Sequence, residues 1–327
     1  MAPISWLRLS LLLPLIFLVQ QSAAHAAPSL ADAIKEADAK YLEVPDVEGA
    51  DNAPKIEAGG GEEEETPGPQ EISQGAVKAA LSYSEDKGED GEITRTPVVT
   101  VFADGKEVAK LEGEGTGLAD PPVSVQIAEI DSGNQYPEVV VSFYTGGAHC
   151  CSDTSVITSS ADGSAWQTVK VGEFDGGPML ATDLNGDGHY EFQTRDNAFL
   201  YTFACYACSE APLELLTVEN GAAKNVTTDE KFKPAHAAYL KGMISNVPDE
   251  DVNGFLAGYV GEKILLGEGK QAWDLMLGYY DKASDWGLEV CEQPLDEEGE
   301  CPVQQVTLTF PDALERMLKE NGYKVEE

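Results

Sequence analysis

The 327-residue chain carries 58 aspartates and glutamates against 21 lysines and arginines, a net charge of −37, with 42% hydrophobic residues and six cysteines. A surface so acidic repels phosphate backbones and anionic lipid, so nucleic-acid binding is excluded. It suits divalent cations, basic partners or a salty medium, and the plainest reading is a solubilising, salt-adapted exterior.

Residues 1–27 read as a cleavable secretory signal. Arg8 supplies the positive start, and Leu9 to Val19 are apolar except for Ser10 and Pro14. Ala24-His25-Ala26 then offers the small-x-small pattern of a cleavage site. That run falls short of the ~20 residues a spanning helix needs, and no later stretch is apolar enough to span. The mature chain is therefore expected to be secreted or periplasmic, without a membrane span. Asn225-Val226-Thr227 would be a glycosylation acceptor only in a eukaryotic host.

In residues 28–75, Leu30, Ile34, Ala37 and Tyr41 recur at helical spacing and predict one short helix. Residues 44–70 lose all periodicity and contain Gly59-Gly60-Gly61, the run Glu62 to Glu65 and Pro67-Gly68-Pro69. Too little apolar surface is present to offset ordering entropy, which predicts a disordered acidic linker.

Residues 76–228 read as strands. Val98 to Phe102, Lys106 to Leu111, Val123 to Ile130, Glu138 to Tyr144, Ser155 to Thr158, Trp166 to Val171, Tyr190 to Thr194, Phe199 to Phe203 and Leu213 to Val218 have β-branched or aromatic character. Asp104-Gly105, Asp162-Gly163 and Asn220-Gly221 supply tight turns. The segment repeats: Ala128-Glu129-Ile130-Asp131, ending at Glu138, parallels Ala181-Thr182-Asp183, ending at Glu191, and a cysteine pair follows each. The period of 53 residues from Glu138 to Glu191 has the length of a propeller blade. Two to three blade-like repeats cannot close a propeller, which needs at least four blades.

Residues 229–327 change to a helical period. His236, Tyr239, Leu240 and Met243 share one face, and Asn253 precedes a helix with Phe255, Tyr259 and Val260 as its cap. Trp273, Met276, Leu277 and Tyr280 mark another helix, and Pro311 to Asn321, closed by Gly322, a last one. Strands followed by a block of helices predict an α+β fold: an antiparallel β-region and a helical C-terminal region.

The segment with the most specific chemistry is Asp183-Leu184-Asn185-Gly186-Asp187-Gly188-His189-Tyr190-Glu191. Side-chain oxygens fall at loop positions one, three, five and nine, Gly188 at six permits a sharp turn, and the His189 carbonyl falls at seven, an arrangement that wraps hard oxygens around one Ca2+. Thr194 stands where an EF-hand needs a bidentate glutamate, and the flanks read as strands. This D-x-N-x-D-G-x-x-E loop between strands resembles the calcium loops of FG-GAP repeats, found in integrin α-subunit propellers and many bacterial exported proteins. The resemblance spans roughly 95–225 and is good at this loop alone. It implies that Asp183, Asn185, Asp187, His189 and Glu191 hold a calcium that braces the blade without catalysing. The other copy, Asp131 to Glu138, is one residue shorter, lacks the acid matching Asp187, and is expected to hold no metal.

In an exported chain the six cysteines are expected to be oxidised. Cys291 and Cys301 flank an acidic loop and are expected to pair. Cys150, Cys151, Cys205 and Cys208 are expected to bridge the two repeats, with zinc binding or a redox pair as alternatives. His149 beside Cys150 does not make a nucleophile-base pair, because sequence neighbours point apart, and His236 reads as a satisfied core histidine. No G-x-S-x-G, H-E-x-x-H or phosphate loop is present. The leading expectation is an exported, non-enzymatic calcium-binding module for a protein or polysaccharide partner. The alternatives are an exported hydrolase with acids on strand-end loops, and a cell-envelope structural protein.

Overall fold

The computed structural model describes residues 28–47, 49, 52–60, 70–88, 91–147, 150–294, 296 and 298–325. The expected signal of 1–27, the run Glu62 to Glu65 and His149 lie outside them. The fold is α+β, with antiparallel sheets first and helices last.

Two sheets pack face to face. One is the meander β2 (Gln70–Gln74), β3 (Val77–Lys87), β4 (Ile93–Ala103) and β5 (Lys106–Glu112). The other runs in the order β1 (Lys55–Ala58), β6 (Val123–Ala128), β7 (Glu138–Tyr144), β8 (Cys150–Ser159) and β9 (Trp166–Asp175). Alternate residues meet between them: Val77, Ala79 and Leu81 from β3, Val99 and Val101 from β4, against Val123, Val125 and Ile127 from β6 and Val139, Val141 and Phe143 from β7. The turn Asp104-Gly105 between β4 and β5 has both residues at positive φ, 48° and 75°, as the sequence signal requires.

The second sheet is covered on its other face as well, where Val140, Val156 and Val169 meet Ala181, Phe192 and Val218. Burial on both faces is why β6, apart from Gln126, is apolar or small, and it is buried along its length. The covering layer includes β10 (Phe192–Arg195), β11 (Leu213–Glu219) and β12 (Ala222–Asn225), a three-stranded sheet. Phe199 to Phe203, expected as a strand, instead begins with a 3-10 turn over Asn197–Phe199, capped by the Asp196 side chain on the Ala198 N–H.

Lys55–Ala58 corrects the expected linker. It pairs antiparallel with Val123 to Gln126 and buries Ile56 in the sandwich core. Two apolar residues, Ile56 and Ala58, alternating with Lys55 and Glu57 are too short a period for sequence reasoning, yet an open sheet edge supplies the missing hydrogen bonds.

The helical region contains α3 (Lys233–Ser245), α4 (Val252–Leu265), α5 (Gly269–Tyr279) and α6 (Phe310–Glu320). The N-terminal helix, split into α1 (Leu30–Ala37) and α2 (Ala39–Leu42), packs into the same core: Ile34 and Tyr41 join Leu240, Phe255, Tyr259 and Leu314. Residues 28–75 are therefore not a unit apart. Asn253 lies inside α4, whose N-cap is Asp251. The Asn253 amide instead clamps Asp281 by two bonds of 2.9 and 3.0 Å. Gly254, Gly258 and Gly261 form the stripe of α4 that meets the 204–212 segment. A Cβ on Gly258 would lie 2.4 Å from the Glu210 carbonyl, so only glycine permits this approach.

Candidate functional site

The loop 183–191 is positioned by polar side chains of the buried sheet. The Gln126 amide brackets Ala181, donating to its carbonyl and accepting from its N–H, both at 2.9 Å. Ser124 donates to the Met179 carbonyl, and Ser142 accepts from the Met179 N–H. These bonds satisfy polar groups that burial would otherwise leave costly. They also lay Met179 to Ala181 across the sheet. Thr182 and Glu191 then exchange N–H···O bonds of 2.9 Å and close the base of the loop. The strand Phe192–Arg195 follows it as expected, whereas Met179-Leu180, expected as a strand before it, lies in no strand, and the pairing on that side is the single bridge at Thr182.

Within the loop Asp183 is the organiser. One carboxylate oxygen accepts from the Gly186 N–H at 2.8 Å and the Asp187 N–H at 3.2 Å, and the other from the Gly188 N–H at 3.0 Å. Asn185 accepts from the Asp187 N–H, and Asp187 from the His189 N–H. Glu191, almost fully buried, accepts from the Leu184 N–H. Leu184 anchors the loop among Leu213, Leu215 and Phe232.

A residue absent from the sequence reading completes the site. The Lys231 ammonium lies 3.2 Å from an Asp187 oxygen and 3.5 Å from a Glu191 oxygen. Burial alone would lower its pKa, but the bond to Asp187 and the charges of Glu191 and Asp187 raise it. Burial pushes Glu191 up. Burial also works to raise Asp187, but the His189 N–H, Asn185 and Lys231 overcome it and hold that carboxyl low. Nothing local marks Lys231, which stands 44 residues along the chain from Asp187.

The donors test well for chemistry and only partly for convergence. Hard oxygens of Asp187 and Glu191 already share one cation, the ammonium, so positive charge is accommodated at this point. Among the described residues, however, no set of three or more acidic, histidine or cysteine side chains is arranged around a common point for a metal. Were Ca2+ bound, Asp183, Asn185, Asp187 and Glu191 with the His189 carbonyl are the groups that would hold it. Its charge would relieve the repulsion between the carboxylates.

The shorter copy has the same frame with different partners. Glu138, fully buried, accepts from the Ile130 and Asp131 N–H groups at 2.8 and 2.9 Å and from Asn134 and Thr158. Asp131 accepts from the Gly133 N–H at 3.0 Å and from the Gly221 N–H at 2.7 Å, fastening the β11–β12 turn. Both copies thus end in a glutamate that takes backbone N–H groups from the start of its own loop. They meet around one cavity of about 330 Å3, lined by Asp131, His189, Glu191, Glu219 and Lys231.

The cysteines correct one expectation. Cys205 and Cys208 are joined to each other, not across the repeats, because the 3-10 turn Tyr206–Cys208 brings their Cα atoms to 5.0 Å. Cys291 and Cys301 pair as expected, and Cys151 is also disulfide-bonded. The oxidised state leaves Cys205 and Cys208 no thiolate for zinc.

His236 is a satisfied core histidine, as the sequence suggested. Its Nε2 meets the Thr227 carbonyl and its Nδ1 the Glu262 carboxylate, each at 2.8 Å. It borders the larger cavity, about 760 Å3, whose wall also holds Asp196, Glu214, Lys233 and Tyr323. Tyr323 donates to Asp196 and Asn225 to Glu214. Burial, then the charge of Asp196, raises the Glu214 pKa.

Comparison with known proteins places the chain. Residues 235–322 match the sll0997 C-terminal domain, which covers α3 to α6 almost end to end. The chain is 40% identical over 257 residues to "Probable thylakoid lumen protein sll0997" of Synechocystis sp. (strain ATCC 27184 / PCC 6803 / Kazusa), covering 77% of this chain and 75% of that protein. It is 33% identical over 237 residues to "Uncharacterized protein y4bJ" of Sinorhizobium fredii (strain NBRC 101917 / NGR234), covering 70% of this chain and 37% of that protein. No solved structure matches. At 40% identity over 77% of this chain and 75% of the Synechocystis protein, the chain belongs to the sll0997 family.

Proposed function

We propose that this chain is an exported, non-enzymatic binding or scaffold module in which the 183–191 loop, braced by Ca2+, locks the β-region to the helical region. The observation that carries the reading is the Lys231 ammonium seated on Asp187 and Glu191, which marks the point where the loop requires positive charge. Leu184 and Phe232 share one apolar cluster there, so whatever fixes the loop also fixes the start of α3. The FG-GAP resemblance supplies calcium as the ion.

The chain is exported. Its leader-like N-terminus agrees with the lumen address in the name of the Synechocystis relative, and its cysteines agree with an oxidising compartment. Among the described residues no helix is long and apolar enough to cross a membrane. The net charge of −37 favours a basic protein or a cationic polysaccharide as partner.

Calcium titration of the exported protein by calorimetry tests the reading, with one ion per chain expected. At a hundredfold excess over Kd the ion should add about 2.7 kcal/mol of stability, several degrees in Tm. Asp187→Ala should abolish that calcium-dependent gain. Asp131→Ala should lower the baseline Tm by freeing the β11–β12 turn but leave the gain intact. A wild-type Tm that does not respond to chelator would defeat the calcium reading.

A further inference from the structure

The structure assigns Lys231 a second role: we propose that it is a tethered counter-ion that occupies the 183–191 loop in place of calcium and sets how tightly the loop takes the metal. This rests on the calcium reading above and adds its regulation.

Three observations place the lysine there by construction. Its backbone belongs to the 3-10 turn Glu230–Phe232, and the neighbouring Phe232 is 1% exposed in the cluster that also holds Leu184. The turn and the loop therefore cannot drift apart without opening that cluster. The ammonium contacts Asp187 and Glu191, two of the expected metal-holding carboxylates, and no other acid at ion-pair distance among the described residues. The Lys231 side chain is 46% exposed and can swing to solvent without emptying any core position. A single positive charge offsets only part of the three carboxylates Asp183, Asp187 and Glu191. A divalent ion therefore has an electrostatic advantage, reduced by the cost of displacing the lysine.

The consequence is a calcium affinity held below what the oxygens alone would give, so the loop stays ordered when calcium is scarce. Removing the ammonium should tighten calcium binding and weaken the fold without calcium. Neighbouring Lys233 pairs with Glu230 at 2.9 Å and provides a control of equal charge.

The test is calcium titration by calorimetry of the wild type, Lys231→Gln and Lys233→Gln, with Tm measured in chelator. Lys231→Gln is expected to bind calcium about tenfold or more tightly than the wild type. It should also melt lower in chelator, while Lys233→Gln stays within about twofold in affinity. If wild type and Lys231→Gln both bind with equal affinity, the counter-ion role is overturned and the calcium reading stands. If both lysine variants tighten alike, general charge is responsible and the role is again overturned. If neither wild type nor Lys231→Gln binds at millimolar calcium, the calcium reading itself fails, and this role with it.

Discussion

Asp38→Ala is expected to cost about 3 kcal/mol or more, the scale for stranding one partner of a buried ion pair. Asp38 sits where α1 meets α2, and both its carboxylate and the Lys263 ammonium of α4 are fully buried. One Asp38 oxygen bonds Lys263, and the other accepts from the Tyr259 hydroxyl at 2.6 Å. Lys263 keeps Glu268 as a second partner, which sets the expectation at the lower end of the range. Tyr259 loses its acceptor as well, and burial followed by the Asp38 charge holds its hydroxyl far above the ordinary pKa. Urea unfolding at neutral pH measures the loss, with exposed Glu36→Ala as a control near zero. An Asp38→Ala variant within about 1 kcal/mol of the wild type would show that the N-terminal helix is dispensable to the helical core.

The second large effect lies at Glu262. One of its oxygens accepts from the Leu213 N–H at 2.9 Å and the other faces His236 Nδ1 at 2.8 Å, with both side chains buried. Because the Thr227 carbonyl only accepts, His236 Nε2 must carry a proton. A second proton must then lie between Nδ1 and Glu262. Glu262→Ala orphans the Leu213 N–H and this proton together, with an expected loss of about 3 kcal/mol. Glu262→Gln should be far milder: its oxygen can accept from Leu213 while its amide donates to a neutral His236. Burial acts to lower the His236 pKa, but the bond and charge of Glu262 and the Thr227 carbonyl raise it above 6.5. A raised folded pKa contributes stability that is complete below pH ~6.5 and is lost as pH rises through the folded value. Wild-type stability should therefore fall on the alkaline side of that value, and Glu262→Gln should lack this component. An identical pH slope in both proteins would contradict the shared proton.

The elements legible in the sequence were those whose signal is local. Glu138–Tyr144 stands at the predicted boundaries, and the Asp104-Gly105 and Asn220-Gly221 turns have the positive φ values that their residues favour. The Pro311-led helix ends before Gly322 at φ 83°. What escaped was set by partners distant in sequence. Lys55–Ala58 is a strand because β6 offers it an edge. Phe199 turns because Asp196 caps the segment and α4 presses against it. At the site, the spacing from Asp183 to Glu191 marked the loop and its acidic oxygens. The lysine that meets them is delivered by the packing of Phe232 against Leu184, which no spacing rule encodes. Cys205 and Cys208 are paired locally because the 3-10 turn Tyr206–Cys208 brings their Cα atoms closer than an extended chain would.

We propose that a cation bound by the 183–191 loop locks the two regions together. Amide hydrogen exchange resolved by residue, with millimolar calcium and with chelator, measures this most directly. Calcium is expected to slow exchange at the Leu184, Gly186, Asp187 and Gly188 amides, which bond to the loop carboxylates. Protection should extend to the first turn of α3, while β3 and β4 in the far sheet stay unchanged. Equal exchange at the loop amides in both conditions would contradict it.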